Sequence, residues 1–115
     1  MVDDSKLARL TLIKTLKEFE PSAEFIEAEN GLIGVERFRE INPQAVFLDL
    51  TMPVMDGFEA LKEIIRINPK AQVVVVSADI QAQAREQVLR DGAKMMVPKP
   101  ISSDKMAAVL QQLVI

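Results

Sequence analysis

The sequence predicts an α/β fold, a doubly wound parallel sheet with helices on both faces. Two observations carry this expectation. Short apolar runs that show no alternation (residues 45–48 and 72–76) stand between segments whose apolar residues recur every three or four positions. The apolar runs also stop abruptly at polar residues, Asp49 after the first and Ser77 after the second. Continuous apolar strands are those buried on both faces, as in a parallel sheet whose crossovers are helices.

Taken in order, residues 5–18 place Leu7, Leu10, Ile13 and Leu16 at helical spacing, with Asp4 or Ser5 positioned to cap the helix. Residues 23–28 alternate weakly and read as a short strand closed by Asn30-Gly31. Val35, Phe38 and Ile41 mark a second helix over 32–41, stopped by Asn42-Pro43. After the strand 45–48, Met52-Pro53 and Asp56-Gly57 make a loop. Phe58, Leu61, Ile64 and Ile65 then define a third helix ending at Asn68-Pro69. The valine-rich strand 72–76 follows. A helix over 81–90 ends at Gly92, and a last strand over 94–97 leads to a helix over 104–113. No repeat, low-complexity tract or linker interrupts this alternation.

Composition narrows the chemistry. The chain has 115 residues, 49% of them apolar, and a formal charge of −3. That is enough apolar material for one core, and the acidic balance argues against broad capture of nucleic acid or of an anionic membrane. With no Cys and no His, thiolate and imidazole metal sites and His-based catalysis are excluded. No apolar run approaches a membrane span, and acids rather than bases follow Met1, so the expected location is cytoplasmic.

In an open parallel sheet, ligands bind beyond the carboxyl ends of the strands. Asp3 and Asp4 precede the first helix while Asp49, Ser77 and Lys99 end strands, so all five are expected on one rim. Three carboxylates together repel one another unless a cation compensates, and Mg²⁺, a hard ion that keeps several waters, suits an oxygen-only donor set. A carboxylate in that setting is a plausible phosphoryl acceptor, with Lys99 and the Ser77 hydroxyl placed to stabilise charge on the transferring oxygens. Plainer readings exist for each residue. Asp3, Asp4 and Ser5 read equally well as a capping cluster, Asp56-Gly57 reads first as a turn and helix cap, and Ser77 and Lys99 taken singly are unremarkable. Asp49 is harder to dismiss, because a carboxylate ending a buried apolar strand is costly without a compensating role.

These motifs together resemble the receiver domain of response regulators in two-component signalling. The carriers are Val2-Asp3-Asp4-Ser5, the segment from Val46 through Asp49 to Pro53 with Met55-Asp56-Gly57, Val76-Ser77-Ala78, Gly92-Ala93 and Lys99-Pro100. The resemblance spans essentially residues 1–115 as one domain and implies a flavodoxin-like, CheY-like fold. It implies Asp49 as phosphoacceptor, Asp4 as a direct Mg²⁺ ligand, Asp3 acting mainly through metal-bound water, and the Thr51 backbone carbonyl as a further ligand. Ser77 follows the phosphoryl group, Lys99 pairs with Asp49 or a phosphoryl oxygen, and Pro100 sets the Lys99 peptide geometry, cis being open to such a bond. Thr51 and Asp79 would line the approach of attacking water. A histidine kinase or phosphotransfer protein would be the donor, and a downstream protein or fused output domain the target. Catalysis would be limited to the chain's own phosphorylation and dephosphorylation.

Two departures from that pattern stand out. Met96 occupies the place of a switching aromatic, so a flexible apolar side chain replaces a ring. Only Met1 and Val2 precede Asp3, so the first strand is largely missing. A truncated chain, a strand donated by a partner and a rearranged sheet all fit that departure, and exposed edges would favour a homodimer. A pseudo-receiver or assembly module is the alternative reading. A phosphohydrolase with an aspartyl nucleophile is disfavoured, because Thr51 stands where its second acid would be.

Overall fold

In a computed structural model describing residues 1–52, 54–78 and 81–113, helices and parallel strands alternate as the sequence predicts. The elements are α1 (Lys6–Phe19), α2 (Gly31–Ile41), β1 (Val46–Leu48), α3 (Gly57–Ile67), β2 (Val73–Ser77), α4 (Ala82–Arg90), β3 (Met95–Pro98) and α5 (Ser103–Gln112). The ladder runs β1-β2-β3, all parallel, with Val46 opposite Val73 and Val75 opposite Met96.

The helices start where capping side chains allow. Ser5, Asn30, Asp56 and Ser102 each accept a hydrogen bond from the backbone N–H three residues on, satisfying one of the donors a helix start leaves free. Ser5, rather than Asp4, caps α1. Asn42 ends α2 in the left-handed region at φ 49°, a conformation asparagine tolerates, and Pro43 then prevents the helix from resuming.

Two apolar layers lie on either side of the sheet. One joins Val2, Val35, Phe38, Leu48, Leu61, Ile64, Val73, Val75, Val88 and Met96, and the other joins Leu12, Leu16, Phe47, Val74, Val76, Met106 and Val109. Successive β2 valines alternate between the two, and all of them are buried. The strand is thus covered on both faces, which is why its sequence does not alternate.

The amino terminus departs from expectation in two ways. The sheet is not rearranged: Val2 bridges both Ala28 and Leu48 in parallel, so residues 1–3 occupy the central position between them. Residues 23–28 do not form the predicted strand, and only Ala28 pairs. A strand there needs a partner of equal length, and only Met1 to Asp3 is present to supply one. Ala28 N–H donates to Met1 O and Asp3 N–H to Ala28 O, at 2.9 and 3.0 Å.

Candidate functional site

Parallel topology aims the carboxyl ends of the strands at one rim, where Asp3, Asp4, Asp49, Ser77 and Lys99 were expected. Asp3 follows the bridging Val2, Asp49 follows β1, Ser77 closes β2 and Lys99 follows β3. Asp49 N–H donates to Val2 O at 2.9 Å, fixing the two acidic segments in register. Lys99 N–H donates to Ser77 O at the same distance, which ties the β3 end to the β2 end.

Asp3 is fully buried, Asp49 is 5% exposed, and Asp4 is exposed. One carboxylate oxygen from each lies within 4.8 Å of the others, the spacing of a site that could hold a cation. Lys99 enters this cluster with its Nζ 2.6 Å from Asp3 Oδ2 and 3.3 Å from Asp49 Oδ1. The expected pairing with Asp49 is present, but the shorter contact goes to Asp3. Asp3 Oδ1 also accepts from Ser5 N–H at 2.9 Å, so this carboxylate is held at both oxygens.

The electrostatics follow from burial. Desolvation, and then the neighbouring Asp3 charge, push the Asp49 carboxyl above the usual aspartate range, with Lys99 only partly opposing them. Burial by itself would lower the Lys99 ammonium, yet its hydrogen bond to Asp3 and the two carboxylate charges outweigh that, and the net shift is upward. Three carboxylates around a single ammonium leave the cluster short of positive charge. An oxygen-only donor set with that deficit fits Mg²⁺.

The remaining candidates are less central. Thr51 is exposed, two residues beyond Asp49. Met96 is buried on β3, in the layer that contains Val88 and Ala93. Asp79 lies outside the described residues. The Lys99-Pro100 peptide is cis. Asp56 caps α3, as its plainer reading held.

Three supports escaped sequence reasoning. Arg9 donates to the Asp3 carbonyl at 2.6 Å and pairs with Glu27 at 2.9 Å, clamping the start of α1. Gly57 packs its Cα directly on the Asp49 carbonyl and Leu50 backbone, where any Cβ would collide. Its N–H donates to Leu50 O at 2.9 Å, so the α3 start is docked beneath the site. Val54 and Met55 both take positive φ, 49° and 72°, and this loop lays the Met55 carbonyl against Gly31. Only the Asp56-Gly57 pair hinted at any of this, as a turn signal.

The comparisons agree on a family. The response regulator receiver domain model matches residues 1–111. The chain is 38% identical over 112 residues to chemotaxis protein CheY of Listeria monocytogenes, covering 97% of this chain and 93% of that one. It is 35% identical over 114 residues to chemotaxis protein CheY of Thermotoga maritima, covering 97% and 92%. A solved CheX–CheY–BeF3–Mg complex from Borrelia burgdorferi superposes with a TM-score of 0.84 at 32% identity, covering 96% of this chain and 81% of that one.

Proposed function

The chain belongs to the response regulator receiver domain family, and from that premise we propose that Asp49 accepts a phosphoryl group from a histidine kinase or phosphotransfer protein in a Mg²⁺-dependent reaction. The observation that carries the reading is the buried Asp49 carboxylate, grouped with Asp3 and Asp4 and contacted by Lys99. A carboxylate raised in pKa by burial is made reactive once positive charge is near it.

Asp4 and Asp49 would hold the ion directly, with the Thr51 carbonyl, and Asp3 would act through its water. When bound, Mg²⁺ supplies positive charge to the phosphoryl oxygens. An Asp49 oxygen forms the new O–P bond as the P–N bond of the donor phosphohistidine breaks, and the donor imidazole takes up a proton. Lys99 steadies charge on the transferring oxygens, and the Ser77 hydroxyl donates to one of them. Thr51 would stand at the approach of the water that later hydrolyses the acyl phosphate. The similar Borrelia burgdorferi CheX–CheY complex was solved with BeF3 and Mg, which supports a metal-dependent reading of this chain.

Phosphorylation would bias a pre-existing equilibrium of the face formed by α4, Met96 and α5, and that face would bind a downstream protein or output domain. Met96 responds by side-chain repacking rather than by swinging a ring. Among the described residues no helix is long and apolar enough to cross a membrane.

Intact-mass spectrometry after treatment with acetyl phosphate and Mg²⁺ tests the reading. One added phosphoryl group on wild type and none on Asp49→Asn is the expected result. Labelling retained by Asp49→Asn overturns it, and labelling of neither protein favours a receiver fold that no longer switches.

A further inference from the structure

Asp3 and Asp4 are adjacent in sequence, yet the structure secures them very differently. Asp3 is firmly held: its N–H donates to Ala28 O at 3.0 Å, its Oδ1 accepts from Ser5 N–H at 2.9 Å, and its Oδ2 meets Lys99 Nζ at 2.6 Å. Asp4 is exposed, so its carboxylate takes its direction from the backbone behind it. That backbone is the Asp3–Asp4 peptide unit. Because a peptide unit is planar, the way the Asp3 carbonyl points sets the way the Asp4 backbone leaves it.

The Asp3 carbonyl precedes the capping residue Ser5 and therefore takes no part in the backbone bonds of α1, the first of which runs from Arg9 N–H to Ser5 O. A side chain from that helix supplies its donor instead. Arg9 Nη1 donates to Asp3 O at 2.6 Å, and Arg9 Nε pairs with Glu27 Oε1 at 2.9 Å. With its side chain only 12% exposed, Arg9 makes these bonds largely sheltered from water. Glu27 adjoins Ala28, so a ring closes around residue 3. Ala28 holds the Asp3 N–H, Arg9 holds the Asp3 carbonyl, and Glu27 holds Arg9.

We propose that Arg9 is a positioning residue for the Mg²⁺ site: it fixes the Asp3–Asp4 peptide so that the Asp4 carboxylate stays grouped with Asp49, and Glu27 keeps Arg9 in that pose. Under the reading that Asp4 and Asp49 hold the ion, on which this assignment rests, Arg9 touches neither the ion nor the phosphoryl group. Charge alone does not account for the arrangement. A cation serving only to offset the acids would lie against their carboxylates, as Lys99 does, whereas Arg9 bonds a carbonyl with one nitrogen and a glutamate outside the cluster with another. A planar guanidinium holds both acceptors at once, which the compact ammonium of a lysine does not reproduce. Groups that orient metal ligands without touching the ion typically change affinity by about 10–100-fold when removed.

The test titrates Mg²⁺ into the full chain and into Arg9→Ala, Arg9→Lys and Glu27→Gln, followed by amide NMR. The metal-free proteins are compared by the HN–Hα coupling at Asp4 and by hydrogen exchange along α1. Affinity about tenfold weaker in Arg9→Ala is expected, with Arg9→Lys also weakened and Glu27→Gln less so. In the same variants the Asp4 coupling should move towards a conformationally averaged value while the Leu12, Ile13 and Leu16 amides stay protected, since those residues are anchored in the core. If Arg9→Ala does not fold, Arg9→Lys and Glu27→Gln carry the comparison. Wild-type affinity in Arg9→Lys would overturn the proposal by leaving charge as the whole effect, and wild-type affinity in Arg9→Ala would overturn it outright. Affinity that falls only in step with α1 protection would overturn it too, because Arg9 would then hold the helix and not the peptide. A wild-type chain that binds no Mg²⁺ is a separate outcome, which removes the metal reading and this assignment with it.

Discussion

Lys99 lies nearer to Asp3, at 2.6 Å, than to Asp49, at 3.3 Å. The fully buried Asp3 is therefore the carboxylate that most depends on the lysine, while Asp49 is left undercompensated. Replacing Lys99 with Met should lower the stability of the metal-free protein by about 3 kcal/mol, since removing one partner strands a buried charge. The same change should make added Mg²⁺ more stabilising than it is for wild type, because the competing cation is gone. Urea melts with and without Mg²⁺ check both statements, and an unchanged midpoint would show that the contact carries no stability.

Asp49 has the opposite liability. Its folded-state pKa is raised above 3.8 by burial and by Asp3, so between those two values the folded state binds more protons than the unfolded state. Metal-free stability contributed by this group therefore falls as pH rises through the folded pKa, and the cost is fully present above it. Asp49→Asn should be more stable than wild type at neutral pH in EDTA, with the difference vanishing near pH 3.8. Melting both proteins across that range decides it, and a pH-independent difference would point to packing instead.

Much of this was legible in the sequence because parallel strands buried on both faces leave an unmistakable apolar run, and a polar residue ending such a run marks the rim. Asp49 after Leu48 and Ser77 after Val76 are of this kind. The segment 23–28 was not legible, because its alternation reads as a strand while its pairing depends on residues far away in sequence. The pairing of Lys99 with Asp3 is equally non-local, closing 96 residues of chain. Gly57 looked like a turn residue, and only the packed structure shows it as the contact point between α3 and the Asp49 backbone.

Gly57→Ala should for that reason act on the site as well as on stability. The added Cβ meets the Asp49 carbonyl and the Leu50 Cα, both backbone atoms that cannot swing aside. A loss of about 1–3 kcal/mol is expected from overpacking, together with slower phosphorylation. Chemical denaturation and the labelling rate with acetyl phosphate test the pair, and an alanine variant equal to wild type in both would contradict the docking of α3.

Val54 offers a gain. It is 62% exposed and holds φ at 49°, a region that a β-branched residue rarely occupies. Val54→Gly should relieve about 1 kcal/mol of backbone cost, provided the loop keeps its shape. A raised denaturation midpoint is expected, and a lowered one would mean that this loop draws its order from the valine side chain.

The Met1 amine gives a pH signature at the other end of the sheet. Burial pulls its pKa down from 8.0 to about 6, with Glu27 opposing the shift and Arg9 adding to it. Between those values the unfolded state binds more protons than the folded state, so stability should rise with pH from about 6 to 8. A shift of two units corresponds to about 2–3 kcal/mol at full extent, present as a penalty below pH 6 and absent above pH 8. The direction is opposite to that of Asp49, whose cost grows with pH from a lower starting point. Acetylating the amine removes the charge that burial disfavours and should flatten the curve between pH 6 and 8, leaving the acid-side behaviour of Asp49 in place. If the slope survives acetylation, the titrating group lies elsewhere and the ammonium is not buried in the folded protein.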